Sequence, residues 1–158
     1  MKITLLAIGK TDADYLKEGI AQYESRIKHY LPFEIKIIAD IKNRKTLSFD
    51  QQKDQEGGLI LSQIGNSDIL ILLDEKGNTY TSTNFSKFIE AKMNSSCKHL
   101  VFAIGGPYGF SEQIYKRANG KISLSEMTFS HQMVRLIFTE QLYRAMTIFK
   151  KEPYHHEG

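Results

Sequence analysis

The chain reads as an α/β protein built on a mainly parallel sheet with helices on both faces. Three features carry that expectation. Strand-like and helix-like patterns alternate from one end of the sequence to the other, which is the signature of a parallel sheet. Two short segments, Ile69-Leu70-Ile71-Leu72-Leu73 and Leu100-Val101-Phe102-Ala103-Ile104, are continuously apolar, as strands covered on both faces are. The second runs straight into Gly105-Gly106-Pro107-Tyr108-Gly109. Ligands of parallel sheets bind outside the carboxyl ends of the strands, so this glycine turn marks a candidate cradle.

The elements follow in order. Lys2 to Ile8 is the first strand. Thr11 and Asp14 have capping-box spacing, and the next helix places Leu16, Ile20, Tyr23 and Ile27 on one side. Phe33 to Ala39 alternates like a strand, and a polar stretch with Lys42, Arg44 and Lys45 follows. Ser48 and Gln51 mark a second helix start, with Leu59, Ile60 and Ile64 as its apolar side. Asp68 to Leu73 is a buried strand, and Asp74-Glu75-Lys76-Gly77-Asn78 reads as the turn that ends it. Phe85, Phe88 and Ile89 mark a third helix; His99 to Ile104 is the strand before the glycine turn. Ser111 caps a short helix, Ile122 and Leu124 belong to a last short strand, and Ser130 caps a helix running to about Lys151. Three carboxyl-end segments then converge: around Leu73, around Gly105, and Leu124 to Phe129.

The last helix has apolar residues over about half its circumference: Met133, Val134, Ile137, Phe138, Leu142, Ala145, Ile148 and Phe149. Leu136, Tyr143 and Met146 fall on the otherwise polar side. That surplus favours a subunit interface; the plainer reading is a helix sandwiched within one chain.

Size and composition set bounds. A length of 158 residues suits one domain, residues 1–158, with a full core. The formal charge of +3 permits a polyanionic partner without requiring one. Cys97 is the single cysteine, so no internal disulfide forms and a cytoplasmic location is expected. No apolar run reaches membrane-spanning length, and no Cys/His cluster has metal-ligand spacing.

The motifs narrow the chemistry. Gly105 to Gly109 lacks the Gly-Lys-Ser/Thr of a triphosphate cradle and is not a dinucleotide fingerprint. Its glycines suit close backbone approach to a flat ligand, or simply a tight strand-to-helix turn. Ser123 to Phe129 offers hydroxyls and main-chain groups for an adenine edge, with Met127 and Phe129 as apolar walls; equally, it is a loop leading to a cap. His131 lies at the start of the last helix, beside the expected cradle. Glu140 and Arg144 are four apart and form a default ion pair. Arg135 has no local partner and is the better candidate for a phosphate or carboxylate.

Taken together these segments resemble the SPOUT, or α/β-knot, methyltransferases, and within them the ribosomal RNA large-subunit methyltransferase H family. The residues that carry the resemblance are Met1-Lys2-Ile3 to Gly9-Lys10, Leu73-Asp74 with Gly77, Ile104 to Pro107 with Gly109, and Leu124-Ser125 with Met127-Thr128-Phe129. His131, Val134-Arg135, Glu140, Leu142 to Ala145 and Pro153-Tyr154-His155 complete it. The resemblance implies a carboxyl-terminal trefoil knot, which physics alone disfavours. It implies a homodimer that moves a methyl group from S-adenosylmethionine to N3 of a pseudouridine in 23S ribosomal RNA, within the ribosome. By the same match Leu73, Gly105, Leu124, Ser125, Glu126, Met127, Thr128 and Phe129 form the cofactor site. His155, Tyr154, Arg135 and His131 are the candidate catalytic residues, with Tyr154 and His155 near the target base. Ser130 stands where the family has proline, Asn78 where it has lysine, and His156 where it has a basic residue, with Glu157-Gly158 beyond.

Two rivals frame the expectation. One is a doubly wound enzyme using another nucleotide cofactor, against which the lack of an acidic residue after a first-strand glycine loop counts. The other is a non-catalytic ribosome-binding module of the same fold.

Overall fold

A computed structural model describes residues 1–156; the Glu157-Gly158 extension lies outside the described residues. Five strands form one parallel sheet in the order β2-β1-β4-β3-β5. They are β1 (Lys2–Ile8), β2 (Phe33–Ile38), β3 (Ile69–Thr79), β4 (His99–Ile104) and β5 (Gly120–Ser123). The helices are α1 (Asp14–Ile27), α2 (Phe49–Leu61), α3 (Ser82–Met93), α4 (Glu112–Arg117) and α5 (His131–Phe149). Among the described residues no helix is long and apolar enough to cross a membrane.

Alternation along each strand divides the core in two, because successive side chains point to opposite faces. Ile3, Leu5, Ala7, Leu100, Phe102 and Ile104 pack with Ile27 of α1, Phe85 and Ile89 of α3, and Phe138, Leu142 and Met146 of α5. Leu6, Ile8, Leu70, Leu72, Val101 and Ala103 pack with Ile60 of α2 and Ile114 of α4. The sheet is therefore covered on both faces, which explains the continuous apolar runs.

Local signals set most boundaries. The Ser48 hydroxyl accepts from Gln51 N–H, and the Gln51 side chain accepts from Ser48 N–H, a complete capping box. Ser111 and Ser130 cap α4 and α5. The Thr11–Asp14 box does not form. Ala13 is the N-cap of α1, and its methyl group has no acceptor to offer; Thr11 Oγ1 accepts instead from Arg135 Nη1 at 3.2 Å.

Two further expectations are corrected. Asp74 to Asn78 is not a terminal turn. Leu73 and Asn78 both pair with Ile122 of β5, so β3 bulges outward over Asp74–Gly77 and resumes beyond it. The bend needs glycine: a Cβ on Gly77 would lie 2.6 Å from the Ile122 nitrogen and the Lys121 carbonyl carbon. Nor do Leu136, Tyr143 and Met146 form a spare apolar face on α5. Met146 is fully buried, Leu136 packs on Gly19 of α1, and Tyr143 meets the rings of Tyr23, Tyr30 and Tyr154. The helix packs between α1 and α3, with Met146 buried and Leu136 and Tyr143 half-buried.

The glycine turn rests on an unusual support. Gly109 N–H donates to the Gly106 carbonyl at 3.1 Å, closing the turn, and Gly109 takes the left-handed conformation (φ +83°). Beneath it lies Glu56 of α2, only 4% exposed. A Cβ on Gly106 would fall 2.4 Å from Glu56 Oε2, so a side chain there would displace the Glu56 carboxyl. Gln52 hydrogen-bonds the Glu56 carboxyl, yet Oε1 has no partner among the described residues. Burial pushes the Glu56 pKa above the ordinary carboxylate value, more than Gln52 lowers it.

Gly77→Ala should cost roughly 3 kcal/mol or more, since main-chain atoms on β5 cannot yield as a side chain does; urea unfolding reads the loss. For Glu56 the sign is the reverse. A carboxyl whose folded pKa is raised loses stability as pH climbs from its unfolded value through its folded one. Glu56→Gln should therefore raise Tm by about 2–4 °C at pH 7, equivalent to roughly 1 kcal/mol. That gain should fade as pH falls through the ordinary value of 4.5, since well below it both states carry the proton. Thermal melts of the two proteins across that range compare them directly.

Candidate functional site

The carboxyl ends of β3, β4 and β5 are neighbours, and a cleft of about 580 Å³ opens above them. That volume suits a nucleoside-sized ligand. β3 supplies Leu73 and the bulge residues Asp74, Glu75 and Lys76. β4 supplies Ile104 and the turn Gly105 to Gly109. Beyond β5 come Ser123, Leu124, Ser125 and Met127 to Ser130, and the start of α5 adds His131 and Val134. The three stretches expected to converge do so.

Internal bonds pre-shape the loop after β5. Ser123 Oγ donates to the Ser125 carbonyl at 2.8 Å, and Ser125 Oγ accepts from Met127 N–H at 2.9 Å. The Thr128 hydroxyl donates to Glu75 Oε2 at 3.3 Å, joining this loop to the β3 bulge. Leu73, Ile104, Phe129 and Val134 contribute apolar wall, and Met127, 77% exposed, forms part of the rim. Glu126 departs from expectation: it is exposed and does not line the cleft.

Several lining residues were missed in the sequence. Tyr115 of α4 donates a short hydrogen bond to Asp74 Oδ2. Burial, then that bond, push the Tyr115 pKa well above an ordinary phenol, so it stays a donor. Asp74 to Lys76 were hidden by being read as a turn; the signal was their place directly after a buried strand.

Arg135 is elsewhere. It is 1% exposed, and its guanidinium donates to the Gly9 carbonyl at 2.7 Å and the Ile8 carbonyl at 2.8 Å. It thereby caps the carboxyl end of β1, where a strand's last carbonyls need donors. Buried behind α5, it has no exposed donor to offer a phosphate, so the expected anion contact is replaced by a structural one.

The tail builds a second cluster along α5. Glu140 Oε1 accepts from Arg144 Nε at 3.1 Å and Nη2 at 2.5 Å, and from the Tyr154 hydroxyl at 3.0 Å. The Arg144 guanidinium lies 4.7 Å over the Tyr154 ring, and Tyr154 meets Tyr143 edge-on at 4.7 Å. Burial, then hydrogen bonds with Tyr23 and Glu140, hold the Tyr154 phenol protonated far into the alkaline range. His155 Nδ1 sits 3.1 Å from Arg144 Nη1. A guanidinium only donates, so Nδ1 is the acceptor and the neutral ring carries its proton on Nε2. None of these tail groups lines the cleft. Along the helix His131 and Glu140 are about 14 Å apart, at 1.5 Å per residue.

Comparison with known proteins agrees with this geometry. A family model described as a predicted SPOUT methyltransferase matches residues 1–155. Proteins named ribosomal RNA large subunit methyltransferase H are similar over essentially their whole length. The one from Parabacteroides distasonis is 61% identical, covering 99% of this chain and 100% of that protein. The one from Cytophaga hutchinsonii is 62% identical over the same shares. A solved structure, a probable methylase family protein from Haemophilus influenzae, shares the fold at a TM-score of 0.50 and 9% identity, covering 94% of this chain and 66% of that one. On the whole-length family match, and with the cleft at the strand ends to accompany it, the chain belongs to the SPOUT methyltransferase family.

Proposed function

We propose that this methyltransferase uses S-adenosylmethionine to methylate N3 of a pseudouridine in 23S ribosomal RNA, acting on the ribosome in the cytoplasm as a homodimer. One observation carries the reading furthest: a nucleoside-sized cleft built from three strand ends, in a chain whose whole-length relatives bear the name of large-subunit ribosomal RNA methyltransferases.

The residues present fit the cofactor. Gly105 brings bare backbone to the cleft, Leu124, Ser125, Met127, Thr128 and Phe129 offer main-chain groups and apolar wall, and Leu73 closes the β3 side. The carboxylates of Asp74 and Glu75 suit a cationic ligand. When bound, S-adenosylmethionine supplies a methyl group already activated on a sulfonium. The protein's part is to hold the acceptor nitrogen in line and keep water out, and such positioning is worth roughly 7–11 kcal/mol.

An imide nitrogen becomes a nucleophile only as its proton leaves, so an acceptor for that proton belongs nearby. His131 is the imidazole on the cleft. Glu140 is unsuited, because Arg144, Tyr154 and Gln141 already occupy its oxygens. His155 is the residue proposed to place the base, with Tyr154 fixing the tail. Because this tail stands away from its own chain's cleft, a second copy is the source we propose for the Tyr154-His155 pair at each site. The carboxyl-terminal threading of the knot belongs to the same reading.

Calorimetry with S-adenosylmethionine and with NAD separates the alternatives. Heat with the former alone is expected; heat with NAD indicates another cofactor, and heat with neither indicates a binding module. His155→Ala should slow single-turnover methyl transfer to unmodified large ribosomal particles by about 100-fold, with cofactor affinity unchanged. An undiminished rate removes His155 from the account.

A further inference from the structure

Two aromatic rings stand stacked and solvent-exposed at the edge of the cleft. Phe49, the first residue of α2, and Tyr108, at the tip of the glycine turn, have centroids 4.0 Å apart and planes 22° apart. Phe49 is 64% exposed and Tyr108 42%. Tyr108 lines the cleft. Neither ring belongs to either core cluster, so the pair does not serve to hold the sheet to its helices.

The segment leading into Phe49 is exposed and basic. Lys42, Arg44 and Lys45 lie on the loop and short 3₁₀ turn just before Ser48. Arg44 is 3.6 Å from Asp40 and Lys53 is 3.4 Å from Asp50, so those charges are paired. Lys42 and Lys45 make no ion pair among the described residues. Two exposed cations on the segment that leads into this ring pair, whose Tyr108 lines the cleft, match one partner chemistry. Unpaired RNA bases stack on aromatic side chains while Lys and Arg follow the phosphates. A protein ligand would leave the two lysines uncompensated unless it were acidic, and would gain nothing from the ring's place at the cleft.

We propose that the Phe49–Tyr108 stack, with Lys42 and Lys45, is a landing platform for an unpaired nucleotide flanking the target base. It rests on the ribosomal RNA reading above and adds a subsite to it. The outer face of Phe49 takes the base, Tyr108 backs Phe49, and the lysines contact the adjoining phosphates. The subsite keeps the flanking nucleotide out of the cleft while the target base enters.

The test measures methyl transfer from labelled S-adenosylmethionine to unmodified large ribosomal particles by wild type, Phe49→Ala and Phe49→Trp. Phe49→Ala should raise the KM for particles about fivefold or more, the low end for loss of one base–aromatic stack. The kcat and the Kd for S-adenosylmethionine should stay within about twofold, and Phe49→Trp should restore the KM. An unchanged KM in Phe49→Ala, with wild type active, overturns the platform alone. A weakened cofactor Kd with an unchanged particle KM overturns it too, making the stack a lid over the donor. A wild type that binds S-adenosylmethionine yet leaves the particles unmethylated sinks the substrate reading, and the platform with it.

Discussion

Ile122 is paired twice by the same neighbouring strand, once from Leu73 and once from Asn78. Four residues of β3 are thereby pushed out of the sheet between two anchored ends, and three of them, Asp74, Glu75 and Lys76, become one wall of the cleft. The arrangement depends on close approach of two backbones, which the missing side chain of Gly77 permits. Asp74 then reaches Tyr115 of α4, and Glu75 reaches Thr128 of the loop beyond β5. A backbone constraint on one edge of the sheet thus fixes two sides of the site.

The floor of the site is set by a different balance. Gly106 is held against a buried carboxyl that has one oxygen unsatisfied. An unpaired buried polar atom costs stability and is tolerated where the site gains from it. Here the bulk of Glu56 fills the space beneath the turn from the α2 side, while the turn presents Gly105 and Tyr108 to the cleft. Arg135 does comparable work at the end of β1, where it ties α5 to that strand through three acceptors. Both residues are charged and buried, and both are spent on placing backbone.

The tail is organised independently of the cleft. Glu140 gathers Arg144 and Tyr154, and Arg144 in turn fixes the tautomer of His155. These contacts run along α5, and none of the tail groups lines the cleft.

The alternating pattern, the buried runs and the serine caps at Ser48, Ser111 and Ser130 determined the element order, both faces of the sheet and the end of the sheet that carries the site. These features are local, being written in neighbouring residues and in periods of 2 and 3.6. Leu73, Gly105 and Leu124 to Phe129, apart from Glu126, lay where the strand ends put them. The tertiary structure decided the rest. Asp74 to Asn78 looked like a turn because nothing in those residues announces the second pairing with Ile122. Arg135 looked free because its acceptors lie more than a hundred residues away. Leu136 and Tyr143 meet α1, a contact their own helix does not announce. In each case the deciding partner is distant in the chain, and a local pattern holds no record of it.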